Sequence, residues 1–249
     1  MGQAGPRKRK KKKNPLYTPL SFIIICAALT FGMSVFFRIS TIEVVGNNIY
    51  TQEEIIEASG LEKGDNLFFV NRFKAISRLF SKLPYVAEAS IARSLPNKLI
   101  IEIEESRAIA YVVSSGDTWL IDRECKLLEK VRPAETGGMI KITGLSPISP
   151  SEGEIISPGE GESAKVSYLT ELLKRIEARG MTGDIAEIDM SNLANPSFDY
   201  LGRFVVKMGK NENIDYKFEL LLSSVSQLAE GDAGTIDLSI DKKAHFSPS

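Results

Sequence analysis

Seven consecutive bases, Arg7, Lys8, Arg9, Lys10, Lys11, Lys12 and Lys13, run directly into an uncharged apolar stretch, Asn14–Phe37. No other feature constrains the fold as strongly. As a helix rising about 1.5 Å per residue, 24 residues reach about 36 Å, enough to cross a hydrocarbon core of about 30 Å with some tilt. Thr18, Ser21, Thr30 and Ser34 are the hydroxyl residues of the run, and each can bond back to its own helix. A cleaved signal peptide would have an apolar region of about 7–15 residues and a small-residue cleavage site. This run is longer and ends in Val35-Phe36-Phe37-Arg38, which reads as an uncleaved anchor.

Charge sets the expected orientation. The bases precede the span and Arg38 alone follows it closely, so the N-terminus is expected in the cytoplasm and the body outside. Each base near an anionic leaflet contributes about 1 kcal/mol, which makes membrane lipid the first expected partner. A basic run with no interleaved aromatics, set against a span, is a topology signal and not a nucleic-acid site. Residues 1–38 hold eight bases and no acid, which leaves 23 bases against 32 acids, net −9, for the rest. That is an ordinary, mildly acidic globular surface. Cys26 falls in the span and Cys125 outside it, so the external part must be held by its core without a disulfide.

The external part divides by pattern. In residues 40–107, Ile42 and Val44 alternate with polar neighbours before the turn Gly46-Asn47-Asn48. Thr51-Gln52-Glu53-Glu54 reads as a capping box, with Gly60 as the stop of the helix. Phe73, Ile76, Leu79, Phe80 and Leu83 recur at helical spacing after Asn71, and Pro84 ends that helix. Val86–Arg93 and Leu99–Glu104 read as two strands, giving the order β-α-α-β-β. Residues 108–241 alternate strands with two helices, about Ser163–Arg179 and Ile214–Leu228. The second helix carries the stripe Ile214, Phe218, Leu221, Leu222, Val225, Leu228. The last strand predicted is Thr235–Asp241, where Ile236, Leu238 and Ile240 alternate with polar residues; residues 242–249 read as a polar tail.

Composition narrows the chemistry. His245 is the one histidine and stands near the C-terminus, so a His-based triad or a histidine metal cluster is not expected, and no Walker or Rossmann glycine loop occurs; no cofactor is expected. Glu53-Glu54 and Glu104-Glu105 are adjacent acids whose side chains diverge, which reads as solvated surface and not an acid/base pair. Trp119 reads as strand packing. What remains is an interaction protein whose contact device is a sheet edge. Thr235, Ile236, Asp237, Leu238, Ser239, Ile240 and Asp241 are the candidates, being last in sequence and alternating; the alternative places this strand mid-sheet, fully paired.

Residues 40–107 resemble a POTRA (polypeptide-transport-associated) domain through Ile42-Glu43-Val44-Val45-Gly46-Asn47, Gly60–Leu67, Pro84-Tyr85-Val86, Arg93 and Pro96-Asn97-Lys98-Leu99. Behind one anchor, the chain resembles the bacterial cell-division family FtsQ/DivIB. Trp119-Leu120-Ile121-Asp122, Ile142-Thr143-Gly144, Val206–Gly209, Tyr216-Lys217 and Gly234–Leu238 match that family's β-domain. Ala108 replaces the family's proline after the last POTRA strand, and Cys125 stands where its turn has glycine, a place where φ > 0 would strain a side chain.

The resemblance implies an α+β fold: an N-terminal transmembrane helix (residues 15–37, after a cytoplasmic segment 1–14), a POTRA domain (40–107) and a mixed β-rich domain with two helices (108–241). It further implies a non-enzymatic bitopic scaffold of the septum. Its partners would be small bitopic division proteins of the FtsB/DivIC and FtsL type, and indirectly the septal peptidoglycan synthases. The contacts carry over to Asp237, Leu238, Ser239, Ile240 and Asp241, then Lys242, Lys243 and Phe246. A POTRA-bearing transport receptor would want repeats or a strand-rich barrel downstream, and a membrane-anchored cell-wall enzyme would want a nucleophile or metal set; neither pattern is present.

Overall fold

A computed structural model describes residues 17–159, 161–240 and 242–249. The basic run Arg7–Lys13 and Asp241 lie outside the described residues. Helix α1 spans Tyr17–Phe36, about 30 Å of axis. Within it, Pro19–Phe36 is long and apolar enough to cross a membrane, and none of it is buried against the rest of the protein. Phe22, Ile23, Leu29 and Phe31 each stand more than 60 % exposed, an arrangement suited to lipid rather than water. The Thr30 hydroxyl donates to the Cys26 carbonyl at 2.8 Å, the back-bond expected of a span hydroxyl.

Beyond α1 come β1 (Thr41–Val45), α2 (Gln52–Ser59), α3 (Arg72–Lys82), β2 (Val86–Ser94) and β3 (Lys98–Glu105), in the β-α-α-β-β order expected. β3 is the middle strand, parallel to β1 and antiparallel to β2. Ile42, Val44, Leu99, Ile101 and Ile103 point to one face and pack against Ile55, Leu67 and Leu79 from the helical side. Glu102 and Glu104 take the opposite, solvated face. The Thr51 capping box forms in full, and Gly60 closes α2 in the left-handed region at φ 67°.

Two expectations need correction in this block. Phe73 and Phe80 are 85 % and 39 % exposed, and the buried face of α3 is Ala75 and Leu79, continued by Leu83. At 3.6 residues per turn, Phe73 sits about 200° round from Ala75, on the far side. Glu105 is not idle surface either. Its carboxylate accepts the backbone N–H groups of Asn48 and Ile49 at 2.8 Å and of Tyr50 at 3.1 Å, which pins the turn after β1.

The second sheet has nine strands: β4 (Ala110–Ser114), β5 (Asp117–Ile121), β6 (Leu127–Val131), β7 (Ile140–Thr143), β8 (Ile185–Asp189), β9 (Ser197–Tyr200), β10 (Phe204–Lys207), β11 (Gly234–Asp237) and β12 (His245–Pro248). Their spatial order is β12-β11-β10-β9-β8-β7-β4-β5-β6. α4 (Ser163–Ala178) joins the parallel pair β7 and β8, and α5 (Ile214–Val225) joins the parallel pair β10 and β11. Leu169, Leu172, Leu173 and Ile176 of α4 and Phe218 and Leu221 of α5 share one core with Ile142, Ile188, Val206 and Ile236 of the sheet. Leu222 is 40 % exposed and lies off the buried stripe of α5. Trp119 is buried in this core, its Nε1 without a hydrogen-bond partner among the described residues.

Cys125 adopts the left-handed backbone that its turn demands, φ 59°, and is wholly buried. Burial pushes its thiol up to about 12, so it stays protonated, with Sγ 3.3 Å from the Thr170 hydroxyl. The two sheets meet at polar contacts. Lys126 Nζ donates to the Val86 carbonyl (2.7 Å), Tyr85 Oη to Glu129 (2.5 Å) and Ser106 Oγ to Asp122 (2.7 Å).

The C-terminal expectation changes most. The last predicted strand is shorter, Gly234–Asp237, and it is not an edge: β10 pairs with it on one side and β12 on the other. The edge is β12, inside what reads in sequence as a polar tail. Chain reversal after residue 238 brings the tail back antiparallel, and Phe246 finds a buried ring to pack on, which the alternation of the preceding strand does not reveal.

Candidate partner interface

β11 places Ile236 in the middle of the core, fully buried, with Leu238 just beyond it at 1 % exposure. Those two side chains hold the sheet together and are not a contact surface. The Leu238 N–H still donates to the Lys207 carbonyl at 2.9 Å, one residue past the strand. The chain then turns. Asp237 Oδ1 accepts the Ser239 N–H at 2.8 Å, Lys243 N–H reaches the Ile240 carbonyl at 3.3 Å, and Lys242 takes φ 57°.

After the turn, β12 aligns His245 with Asp237, Phe246 with Ile236, Ser247 with Thr235 and Pro248 with Gly234. The Phe246 ring sits 6.2 Å from that of Phe204 at 74°, edge to face, and the Arg203 guanidinium lies 4.8 Å from the Phe204 ring centre. Arg203 also donates to the carbonyls of Ala229 and Asp232 at 3.3 Å and to that of Glu230. Gly234 lets β12 approach: a Cβ there would stand 2.2 Å from the Ser247 carbonyl oxygen and 2.9 Å from the Pro248 Cα. The opposite side of β12 has no partner strand among the described residues. Its remaining backbone groups are available to a fourth party, Pro248 offering a carbonyl only.

Burial alone would raise the Asp237 carboxyl, but hydrogen bonds from Ser239 and the charges of Lys207 and His245 outweigh it and hold the group below the usual aspartate value. The acid is thereby kept as an anion at the joint of β10, β11 and β12.

A groove of about 460 Å³ opens beside the turn. Leu238, Ser239, Ile240 and Lys242 form one wall, Tyr216, Lys217 and Leu220 of α5 another, with Asn195 and Lys210 at the rim. Ile240 is 52 % exposed and Tyr216 44 %, so apolar surface lies open among the bases Lys210 and Lys242 and the acid Glu212. The Lys217 ammonium donates to the carbonyls of Met208 (2.7 Å) and Lys210 (2.6 Å).

The structure thus brings together Ser239, Ile240 and Lys242 at the groove, and Phe246 on the edge strand. Thr235 and Asp237 face β12, Ile236 and Leu238 are core, and Asp241 lies outside the described residues. Sequence reading missed three members: Tyr216, Lys210 and the strand β12. The exposed Tyr216 beside an otherwise apolar helix stripe was the one local signal. Four residues ending in proline carry too little strand pattern to be recognised. Among the described residues, no three His, Cys, Asp or Glu side chains cluster to hold a metal ion.

Residues 37–106 match the family model described as POTRA domain, FtsQ-type. The chain is 26 % identical over 245 residues to a cell division protein DivIB of Clostridium botulinum, covering 96 % of this chain and 93 % of that protein. It is 28 % identical over 135 residues to DivIB of Bacillus subtilis, 54 % of this chain and 51 % of the relative. It is 33 % identical over 132 residues to a cell division protein FtsQ of Chloroflexus aurantiacus, 52 % of this chain and 48 % of the relative.

Proposed function

Because this chain belongs to the FtsQ/DivIB family of bacterial cell-division proteins, with a POTRA domain and one N-terminal apolar helix, we propose that it is a non-enzymatic scaffold at the division septum. The basic run Arg7–Lys13 holds the N-terminus in the cytoplasm. Residues 40–107 and 108–241 form two external units joined by the polar contacts of Tyr85, Ser106 and Lys126. The partners are small bitopic proteins of the FtsB/DivIC and FtsL type, and through them the septal peptidoglycan synthases.

The observation that carries this reading is the open edge strand β12 next to a groove that mixes the exposed apolar surface of Ile240 and Tyr216 with Lys210, Lys242 and the acid Glu212. A partner segment adds a strand to β12, satisfying its free backbone groups, and continues over the groove. Lys210, Lys242 and Lys243 favour acidic residues in that segment. Since every component is confined to one membrane, a modest intrinsic affinity suffices at the raised effective concentration.

The test is co-reconstitution of the full chain with its candidate bitopic partners in vesicles, followed by affinity capture. Capture should persist in the wild type and drop with Ile240→Glu. Undiminished capture by a folded Ile240→Glu protein, together with failure of any strand of the partner to cross-link to β12, overturns the assignment.

A further inference from the structure

The three-stranded sheet is fastened to the outer end of α1 with almost no slack. Asn66 Nδ2 donates to the Met33 carbonyl at 2.9 Å, one turn inside the end of the helix. Leu67 N–H donates to the Phe37 carbonyl, Ile39 N–H to Asp65, and Gly64 N–H to Ile39, each at 2.8 Å. The Phe37 and Phe68 rings meet edge to face at 4.9 Å, and Arg93 clamps the same turn through the carbonyls of Leu67 (2.6 Å) and Phe68 (3.2 Å). On the other side, the Asn97 carbonyl at the β2–β3 hairpin accepts the Ser40 N–H at 2.8 Å.

Three large apolar side chains stand exposed on these two segments: Phe69 (71 %), Phe73 (85 %) and Leu95 (63 %). Phe69 is three residues from Asn66 and Leu95 two from Asn97, so their backbones lie within about 11 Å and 7 Å of chain from the fastening points. With α1 about as long as a hydrocarbon core, Met33 lies about 4.5 Å below its outer end. The headgroup zone above that core is about 5–8 Å deep. Left in water, three such side chains forgo the gain of burial. Arg38, Arg72 and Lys74 lie close to these residues in sequence, together with the acids Glu62 and Asp65, and bases so placed favour anionic headgroups.

We infer that Phe69, Phe73 and Leu95 form a foot that beds into the outer lipid interface, so that the bilayer, and not α1 alone, sets the tilt of the external body. The occupant is lipid because the residues stand on or next to the segments that are fastened to the end of the span. This inference rests on α1 spanning the membrane. Its consequence is that the β12 edge is presented at a fixed height and angle, favouring partners rooted in the same membrane.

The test uses the full chain with Trp119→Phe, reconstituted in phosphatidylethanolamine–phosphatidylglycerol vesicles, carrying one new tryptophan at a time. Phe73→Trp and Leu95→Trp, both at exposed positions, should emit at shorter wavelength and lose about half their emission to lipids brominated near the headgroup end of the acyl chain. Val205→Trp, exposed on β10, should be unaffected. Leu29→Trp should be quenched by bromines deep in the bilayer. Quenching at residue 29 with none at 73 or 95 overturns the foot and leaves the span intact. No quenching at 29 overturns the span and the foot with it. A shift at 73 that appears only when other division proteins are added identifies a protein-docking patch and also overturns the inference.

Discussion

The nine-stranded sheet has two edges, and they are treated differently. At β6 the loop following β7 folds over the edge. Leu127 N–H donates to the Glu154 carbonyl, Gly153 N–H to the Leu127 carbonyl, both at 2.8 Å, and Ile156 N–H to the Cys125 carbonyl at 2.9 Å. The first sheet adds Tyr85 on Glu129 and Lys126 on Val86. At β12 no comparable cover occurs among the described residues; what lies beside it is the groove with Ile240 and Tyr216. An open edge is an aggregation hazard that folds ordinarily blunt. Here β12 is short, four residues ending in proline, and preceded by Lys242 and Lys243, which restrains indiscriminate pairing while leaving room for one strand.

Substitutions can break this contrast. The largest effect belongs to the covered edge. Leu127→Ala empties a site that is 1 % exposed and should cost about 2–5 kcal/mol in chemical denaturation. Partner binding by the fraction that remains folded should be unchanged. Next is Gly234→Ala, whose Cβ collides with β12 backbone. It should cost about 1–3 kcal/mol, raise amide exchange at residues 245–247 selectively, and abolish capture of a strand-adding partner. A protein with normal exchange at β12 would show that the sheet end relaxes instead.

Smaller in stability but specific in function, Ile240→Glu should stay within about 0.5 kcal/mol of wild type while weakening partner affinity about tenfold, read by titration in vesicles. The smallest effect is electrostatic. Because the Asp237 carboxyl is held below its unfolded value, its contribution is complete above the ordinary aspartate pKa and is lost as pH falls through the depressed folded one. Protection of the β12 amides, taken as exchange relative to the intrinsic rate at each pH, should therefore weaken on acidification from about pH 5 toward pH 2, and Asp237→Asn should flatten that dependence. An unchanged profile in the variant would place the acid sensitivity elsewhere.

Local pattern made much of the fold legible. Thr51 and Glu54 cap α2 because a hydroxyl and a carboxylate three residues apart satisfy two orphan amides, a relation contained in four residues. The alternation of Leu99, Ile101 and Ile103 likewise implied a sheet with one wet face, since side chains in a strand must alternate. Phe73 was misassigned by the same logic, because helical spacing names a stripe without saying which of two overlapping stripes meets the sheet. Glu105 reads as surface until the turn after β1 is brought to it across more than fifty residues.

The candidate interface divides along the same line. That the chain carries a charge-free apolar helix long enough to cross a membrane, and a single histidine, follows from its residues alone, because length and composition are not altered by folding. Which strand ends the sheet is a property of pairing. Ile236 and Leu238 alternate whether their strand is edge or interior, and the choice was made by Phe246 finding Phe204 and by Gly234 admitting the returning backbone. Those contacts join residues with no regular spacing, so only the tertiary structure decides them.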